Sequence, residues 1–157
     1  MKKILSFAIL LMLFTSCSTM RLAKFSEPSV KIYEDVSGTK NDLFVKSNEW
    51  LIRNFKDATS VIEFSDKEEG VLIGKYLLSG SLVPGIYGTS TDTRIYAKID
   101  IRVKDSKARI SIEPIGEWKY DPSGLTIYTY SPEDAQSDIN VLMSSFHSAL
   151  KAQKIDF

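Results

Sequence analysis

The chain has 157 residues, 43% hydrophobic and 25% charged, an ordinary globular composition that points to one domain. Its single cysteine excludes an intrachain disulfide. Twenty basic residues against twenty acidic ones leave no cationic excess to neutralise phosphates, so nucleic acid is not an expected partner.

Met1-Lys2-Lys3 opens the chain with positive charge, and residues 4–14 (ILSFAILLMLF) follow as a mostly apolar run. As a helix that run would cover only about half of a ~30 Å hydrocarbon core, too short for a permanent span but suited to the h-region of a signal peptide. Thr15 and Ser16 supply the small residues of a cleavage site, and Cys17 comes next. Phe14-Thr15-Ser16-Cys17 resembles a lipobox, with phenylalanine where leucine is usual. The expected processing is cleavage between Ser16 and Cys17, with acyl chains such as palmitate attached to Cys17 as a membrane anchor. An ordinary secretory leader that leaves a free thiol, and an uncleaved N-terminal anchor, are the alternatives. Loss of residues 1–16 removes Lys2 and Lys3 and no acid, leaving 18 bases against 20 acids, a net charge of −2.

Residues 17–29 read as the lipidated cysteine and a flexible tether, polar, without periodicity and closed by Pro28. No acidic residue directly follows Cys17, so a periplasm-facing position in the bacterial envelope is expected over the outer surface. Residues 30–157 are then a single α+β domain. Val30-Lys31-Ile32-Tyr33 alternates as a first strand. Residues 40–55 read as a helix with Phe44, Leu51 and Phe55 on one face, Ala58 just beyond, and Asp42, Lys46, Glu49, Arg53 and Lys56 opposite. Asn48 falls within the apolar face.

Val61-Ile62-Glu63-Phe64 and residues 71–78 read as strands around a loop at Asp66-Lys67-Glu68-Glu69-Gly70, where Gly70 suits a left-handed position. Residues 79–93, rich in Gly, Ser and Thr and holding Pro84, predict a loop or irregular edge. Residues 94–103 are the clearest strand: Ile95, Ala97, Ile99, Ile101 and Val103 face one way, and Arg94, Tyr96, Lys98, Asp100 and Arg102 the other. Asp105-Ser106 turns the chain into a returning strand whose buried set is Ala108, Ile110 and Ile112. Alternation of this kind predicts a sheet covered on one side only. Ser131-Pro132-Glu133-Asp134 starts a last helix that runs to about residue 152, with a stripe of Ala135, Ile139, Leu142, Met143, Phe146, Ala149 and Leu150. The expected fold is one antiparallel sheet with two helices on one face, in the order β-α-β-β-β-β-α.

These residues resemble a family of bacterial exported proteins without an assigned function, described as having a TATA-binding-protein-like fold. The likeness lies in residues 43–51 (LFVKSNEWL), residues 60–70 (SVIEFSDKEEG), the alternating strand and the turn at residues 104–109 (KDSKAR). It covers roughly residues 30–115 well and the last helix by position alone. It implies the same element order and carries over no catalytic residue.

No catalytic constellation is visible. His147 is the only histidine and sits at the border of the last apolar stripe, so neither a metal site nor a triad is expected. Asp66, Glu68 and Glu69 lack the alternating oxygen ligands of a calcium loop, and Gly80, Gly85 and Gly88 lack the Lys-Ser/Thr of a phosphate cradle. Acylation would also take up the one thiol, so no cofactor, metal or enzymatic activity is expected. The suggestive feature is aromatic: Trp118, Tyr120, Tyr128 and Tyr130 flank a turn at residues 121–124, and Tyr87 lies in the Gly-rich loop. A hairpin closed by that turn would set Trp118 opposite Ile127 and Tyr120 opposite Leu125, and such rings can stack on flat ligands, although strand propensity also accounts for them. The expected function is a non-enzymatic, membrane-anchored envelope lipoprotein that binds a protein or small ligand through the sheet's open face or this aromatic hairpin. A structural or assembly component of an envelope complex is the alternative, and an enzyme comes third.

Overall fold

A computed structural model describes residues 20–34, 36–55 and 60–152. Its elements in chain order are β1 (Arg21–Ala23), β2 (Ser29–Glu34), α1 (Lys40–Asn54), β3 (Val61–Asp66), β4 (Val71–Ser79), β5 (Leu82–Pro84), a 3-10 turn (Ile86–Gly88), β6 (Ser90–Asp92), β7 (Ile95–Lys104), β8 (Lys107–Pro114), β9 (Trp118–Tyr120) and α2 (Pro132–Lys151). Strands β2, β8, β7, β4 and β3, in that spatial order, make a five-stranded antiparallel sheet with both helices on one face. The main sheet and helices thus follow the expected β-α-β-β-β-β-α order. Two small ladders, β1–β9 and β5–β6, are added to it. No helix among the described residues is long and apolar enough to cross a membrane.

Both helices start on capping boxes. Thr39 and Ser131 accept from the backbone N–H groups of Asp42 and Asp134, whose carboxylates accept in return from the cap N–H groups. Helix α2 buries the expected stripe except Ala149, which is half-buried against the core. Helix α1 buries Leu43, Phe44, Ser47, Trp50 and Leu51, with Phe55 packed against the same core, so the expected face is present and is widened by Leu43, Ser47 and Trp50. Ser47 enters it by donating to the Leu43 carbonyl at 2.7 Å, which satisfies its hydroxyl within the helix, while Asn48 is half-buried beside it. Trp50 joins the helices through an edge contact with Phe146, 5.1 Å between centroids, and a 3.0 Å hydrogen bond to Ser145. Lys46, expected on the outer face, reaches the Leu150 carbonyl at 2.8 Å near the C-terminal end of α2, where a cation is favoured by the helix dipole. Ala58 and Lys56 lie outside the described residues.

Strand β7 alternates as expected, with Ile95, Ala97, Ile99, Ile101 and Val103 buried toward the helices. In β2 it is Tyr33 that faces the helices, donating to the Met143 carbonyl at 2.6 Å, so Val30 and Ile32 point to the opposite, uncovered face. At the β3–β4 turn Gly70 has a φ of 70°. A Cβ there would stand 2.5 Å from the Val103 carbonyl oxygen.

Three expectations need correction. Residues 20–29 are not simply a tether: Arg21–Ala23 pairs with Trp118–Tyr120, Ala23 is buried, and Phe25 stacks on Trp118 at 6.1 Å, so these residues belong to the domain. Residues 79–93 are not an irregular edge but a short hairpin, β5–β6, hinged where Gly80 (φ 89°) lets the chain pass against the Thr93 carbonyl. The hairpin expected around residues 121–124 does not form, because β9 takes β1 as its partner. Asp121 turns the chain through its Oδ1, which accepts from the Ser123 N–H and hydroxyl.

Candidate functional site

Two regions of the surface combine uncommon chemistry with position. The first is the uncovered face of the main sheet. Period-two alternation and the registers place Val30, Ile32 and Glu34 of β2 beside Ser111, Arg109 and Lys107 of β8. Tyr96, Lys98, Asp100 and Arg102 of β7 come next, then Leu77, Lys75, Ile73 and Val71 of β4, and Val61 and Phe64 of β3. Four large apolar side chains on this face are open to solvent: Val30, Ile32 (62% exposed), Val61 and Phe64 (50% exposed). Its charges are mixed. Arg102 binds Asp100 at 3.1 Å, Lys107 binds Glu34 at 3.1 Å, and the Lys75 ammonium stands 4.1 Å from the centre of the Tyr96 ring. The face therefore has an apolar margin on β2, a broader apolar region over β3 and β4, and mixed charges on β7 and β8.

The second region is the end of the domain where β1, β9, the β5–β6 hairpin and residues 121–130 meet. Here the predicted aromatic residues separate into different roles. Trp118 is 8% exposed and sits in a small second core with Ala23, Ile95 and Ala135, its indole N–H donating to the Tyr130 carbonyl at 2.8 Å. Tyr120 and Tyr130 pack against that core. The Tyr130 hydroxyl donates to Asp138 at 2.8 Å, and its pKa is raised, first by burial and then by that carboxylate. Tyr128, whose carbonyl accepts from the Asp121 N–H at 2.6 Å, lines two clefts that share Lys119. Tyr87 stands apart at the tip of the β5–β6 hairpin, 99% exposed with φ 61°. The structure thus joins Trp118, Tyr120 and Tyr130 as packing, leaves Tyr128 at a cleft and isolates Tyr87. Ser16 and Cys17 lie outside the described residues.

One cleft, about 220 Å³, is lined by Ser79, Ser81, Thr93, Lys119, Tyr128 and Thr129 together with the apolar Val83, Ile95 and Ile127. On either side of Thr93 in the chain, Arg94 grips Asp92 with two contacts of 2.9 and 2.7 Å, and these hydrogen bonds hold the Asp92 carboxyl down at about 2. The other cleft, about 340 Å³, is lined by Met20, Arg21, Leu22, Lys119, Thr126 and Tyr128. Sequence reasoning missed Arg21, Leu22 and Lys119, since three-residue strands carry too little periodicity to signal a pairing.

The remaining candidates have structural settings. His147 lies flat on Tyr33, ring centroids 4.4 Å apart, and its pKa is lowered by desolvation and then by the charges of Lys151 and Lys31. Asp66 accepts from the Glu69 N–H at 2.9 Å within its turn, and the Glu68 carbonyl accepts from Lys40. No group of three or more His, Cys, Asp or Glu among the described residues is placed to hold a metal ion.

An antiparallel sheet covered on one side by two helices, with the other side open, is the arrangement of TBP-like proteins. The family model for a domain of unknown function (DUF4468) with TBP-like fold matches residues 34–118, and the chain belongs to that family. A solved DUF4468 family protein from Bacteroides ovatus is similar at a TM-score of 0.53 and 12% identity, over 87% of this chain and 94% of that one. A TBP-like protein from Parabacteroides distasonis is similar at a TM-score of 0.52 and 15% identity, over 80% of this chain and 94% of that one. No curated protein matches the chain.

Proposed function

We propose that the chain is a non-enzymatic envelope lipoprotein, acylated at Cys17, whose domain binds a protein partner through the uncovered face of its sheet. The observation that carries the binding role is the exposure of Val30, Ile32, Val61 and Phe64 on a sheet face with no layer over it among the described residues. A solvated sheet face is ordinarily polar, and exposed apolar side chains beside mixed charges are the composition of a surface that is wet when alone and covered in a complex. The mixed, paired charges of that face and the net −2 of the processed chain speak against nucleic acid as the partner. A binder is favoured over an enzyme because the one histidine is stacked on Tyr33 rather than aimed into a cleft with other titratable groups. A protein is favoured over a small molecule by the extent of the face, whose exposed apolar side chains lie on both edge strands of a five-stranded sheet.

The anchor and the binding face are tested separately. Cys17→Ala is expected to leave uncleaved precursor without fatty-acid label. A photo-crosslinker at Lys98, on the open face, is expected to give a discrete adduct in native membranes, whereas one at Val141, on the exposed side of α2, gives none. Phe64→Asp with Ile32→Asp should abolish the Lys98 adduct and leave the fold intact, since both side chains are half or more exposed. Equal adducts at Lys98 and Val141 would refute the open face as the binding surface.

A further inference from the structure

The domain has two distinct ends. Strand β7 runs about 30 Å from Ile95 to Lys104. The β3–β4 turn lies at the Lys104 end, where Val103 donates to the Gly70 carbonyl. At the Ile95 end, β1 brings in the chain from the leader, with Met20 and Leu22 beside Thr126 and Tyr128. Leu22 pairs in register with Lys119, so both side chains point away from the buried Ala23–Trp118 pair next to them. Leu22 (67% exposed) is open to solvent, as are Leu125 (80% exposed) and Ile127, which flank the Thr126 that shares its cleft and complete this ridge. Arg21 and Lys119 line its cleft with no carboxylate among the lining residues, and the nearby Glu117 is already bound to Lys24 at 3.3 Å.

We infer that this ridge is a lipid-docking surface: Leu22, Leu125 and Ile127 enter the membrane interface while Arg21 and Lys119 meet the phosphates of anionic headgroups. The inference rests on the acylation of Cys17 proposed above. The occupant follows from where the chain outside the described residues joins the fold. Cys17 lies three residues before Met20, and three residues span at most about 10 Å, so an acylated Cys17 brings the ridge to within one headgroup layer of the bilayer. Apolar side chains beside two cations are the combination that partitions into an anionic interface. Docking in this pose points the β3–β4 turn away from the membrane.

The test uses the full processed chain, purified from membranes, with acylation of Cys17 verified by mass spectrometry. It is reconstituted in phosphatidylethanolamine–phosphatidylglycerol vesicles with or without brominated acyl chains. Leu125→Trp and Ile127→Trp place reporters on exposed ridge positions, and Lys67→Trp places one on the β3–β4 turn, each read as the difference from the parent, which has Trp50 and Trp118. Ridge reporters seated at the headgroup–acyl boundary are expected to be quenched at least about twofold more than the reporter at position 67. Adding Lys119→Glu to Leu125→Trp should cut that excess by about half. Equal quenching of all three reporters in an acylated chain overturns the docking and leaves the anchor standing. Absence of acylation overturns both. A ridge reporter shielded from water in native membranes but untouched by bromine shows that a protein covers the ridge, and also overturns the inference.

Discussion

His147 shows how a lone titratable residue acts without any catalytic partner. Its ring lies at 14° to that of Tyr33, whose hydroxyl is engaged by the Met143 carbonyl, so protonating the imidazole would place a charge in a partly desolvated stack already near Lys31 and Lys151. The folded-state pKa therefore lies below the ordinary 6.5, and the unfolded chain takes up its proton first as the solution is acidified. This contribution to stability is complete above pH 6.5 and is lost as the pH falls through the folded-state value. NMR titration is expected to place the imidazole midpoint below 6.5, and His147→Gln should flatten the pH dependence of stability in that window. A midpoint above 6.5 would mean that the stack does not form. Gly70 is a second position where one residue decides local structure: its left-handed φ and its approach to the Val103 carbonyl both exclude a Cβ. Gly70→Ala is expected to destabilise the domain by about 1–3 kcal/mol, measured by urea unfolding.

Elements were legible in proportion to the length of their pattern. Ten alternating residues in β7 and a twenty-residue stripe in α2 each repeat their period several times, so their positions and buried faces could be read directly. The full width of the α1 face could not, because Ser47 joins its apolar stripe only through a hydrogen bond within the helix. Short ladders are opaque for a different reason: three residues span about one period and a half of a strand, and their partner is chosen by tertiary contacts. Thus Trp118–Tyr120 pairs with a segment almost a hundred positions upstream instead of closing a local hairpin, and the aromatic candidates were regrouped with it. Replacing residues 20–26 by a Gly/Ser chain of equal length discriminates the two readings of this segment. A mere tether would lose nothing. A β1 that buries Ala23 and carries Phe25 onto Trp118 should lose about 2–4 kcal/mol of stability, and Trp118 emission should shift to the red.

The molecule as a whole is held by two cores of unequal size. Nineteen buried residues among those described form the main core between sheet and helices, including Ile99, Ile101, Ile110, Ile112 and Phe146, all fully buried. Four form the second, Ala23, Ile95, Trp118 and Ala135, with Phe25 and Leu78 packed against both. Fully burying a large apolar side chain contributes roughly 1.5–3 kcal/mol, so Trp118 and Ile95 can hold their end against local opening by only a few kcal/mol, whereas opening β7 and β8 requires dismantling the main core. The domain should therefore open from the β1–β9 end while the central sheet stays closed. Hydrogen exchange is expected to release amides of the β1–β9 and β5–β6 ladders well before those of β7 and β8. Leu78→Ala, which removes a side chain shared by the two cores, should lower protection in β9 more than in β8. Equal protection of β9 and β7 would mean that the two cores open as one unit. If they open separately, the end that carries β1 is also the end whose order is most easily shifted by whatever it contacts, because a bound surface need supply only the few kcal/mol that separate the local opening from the closed state.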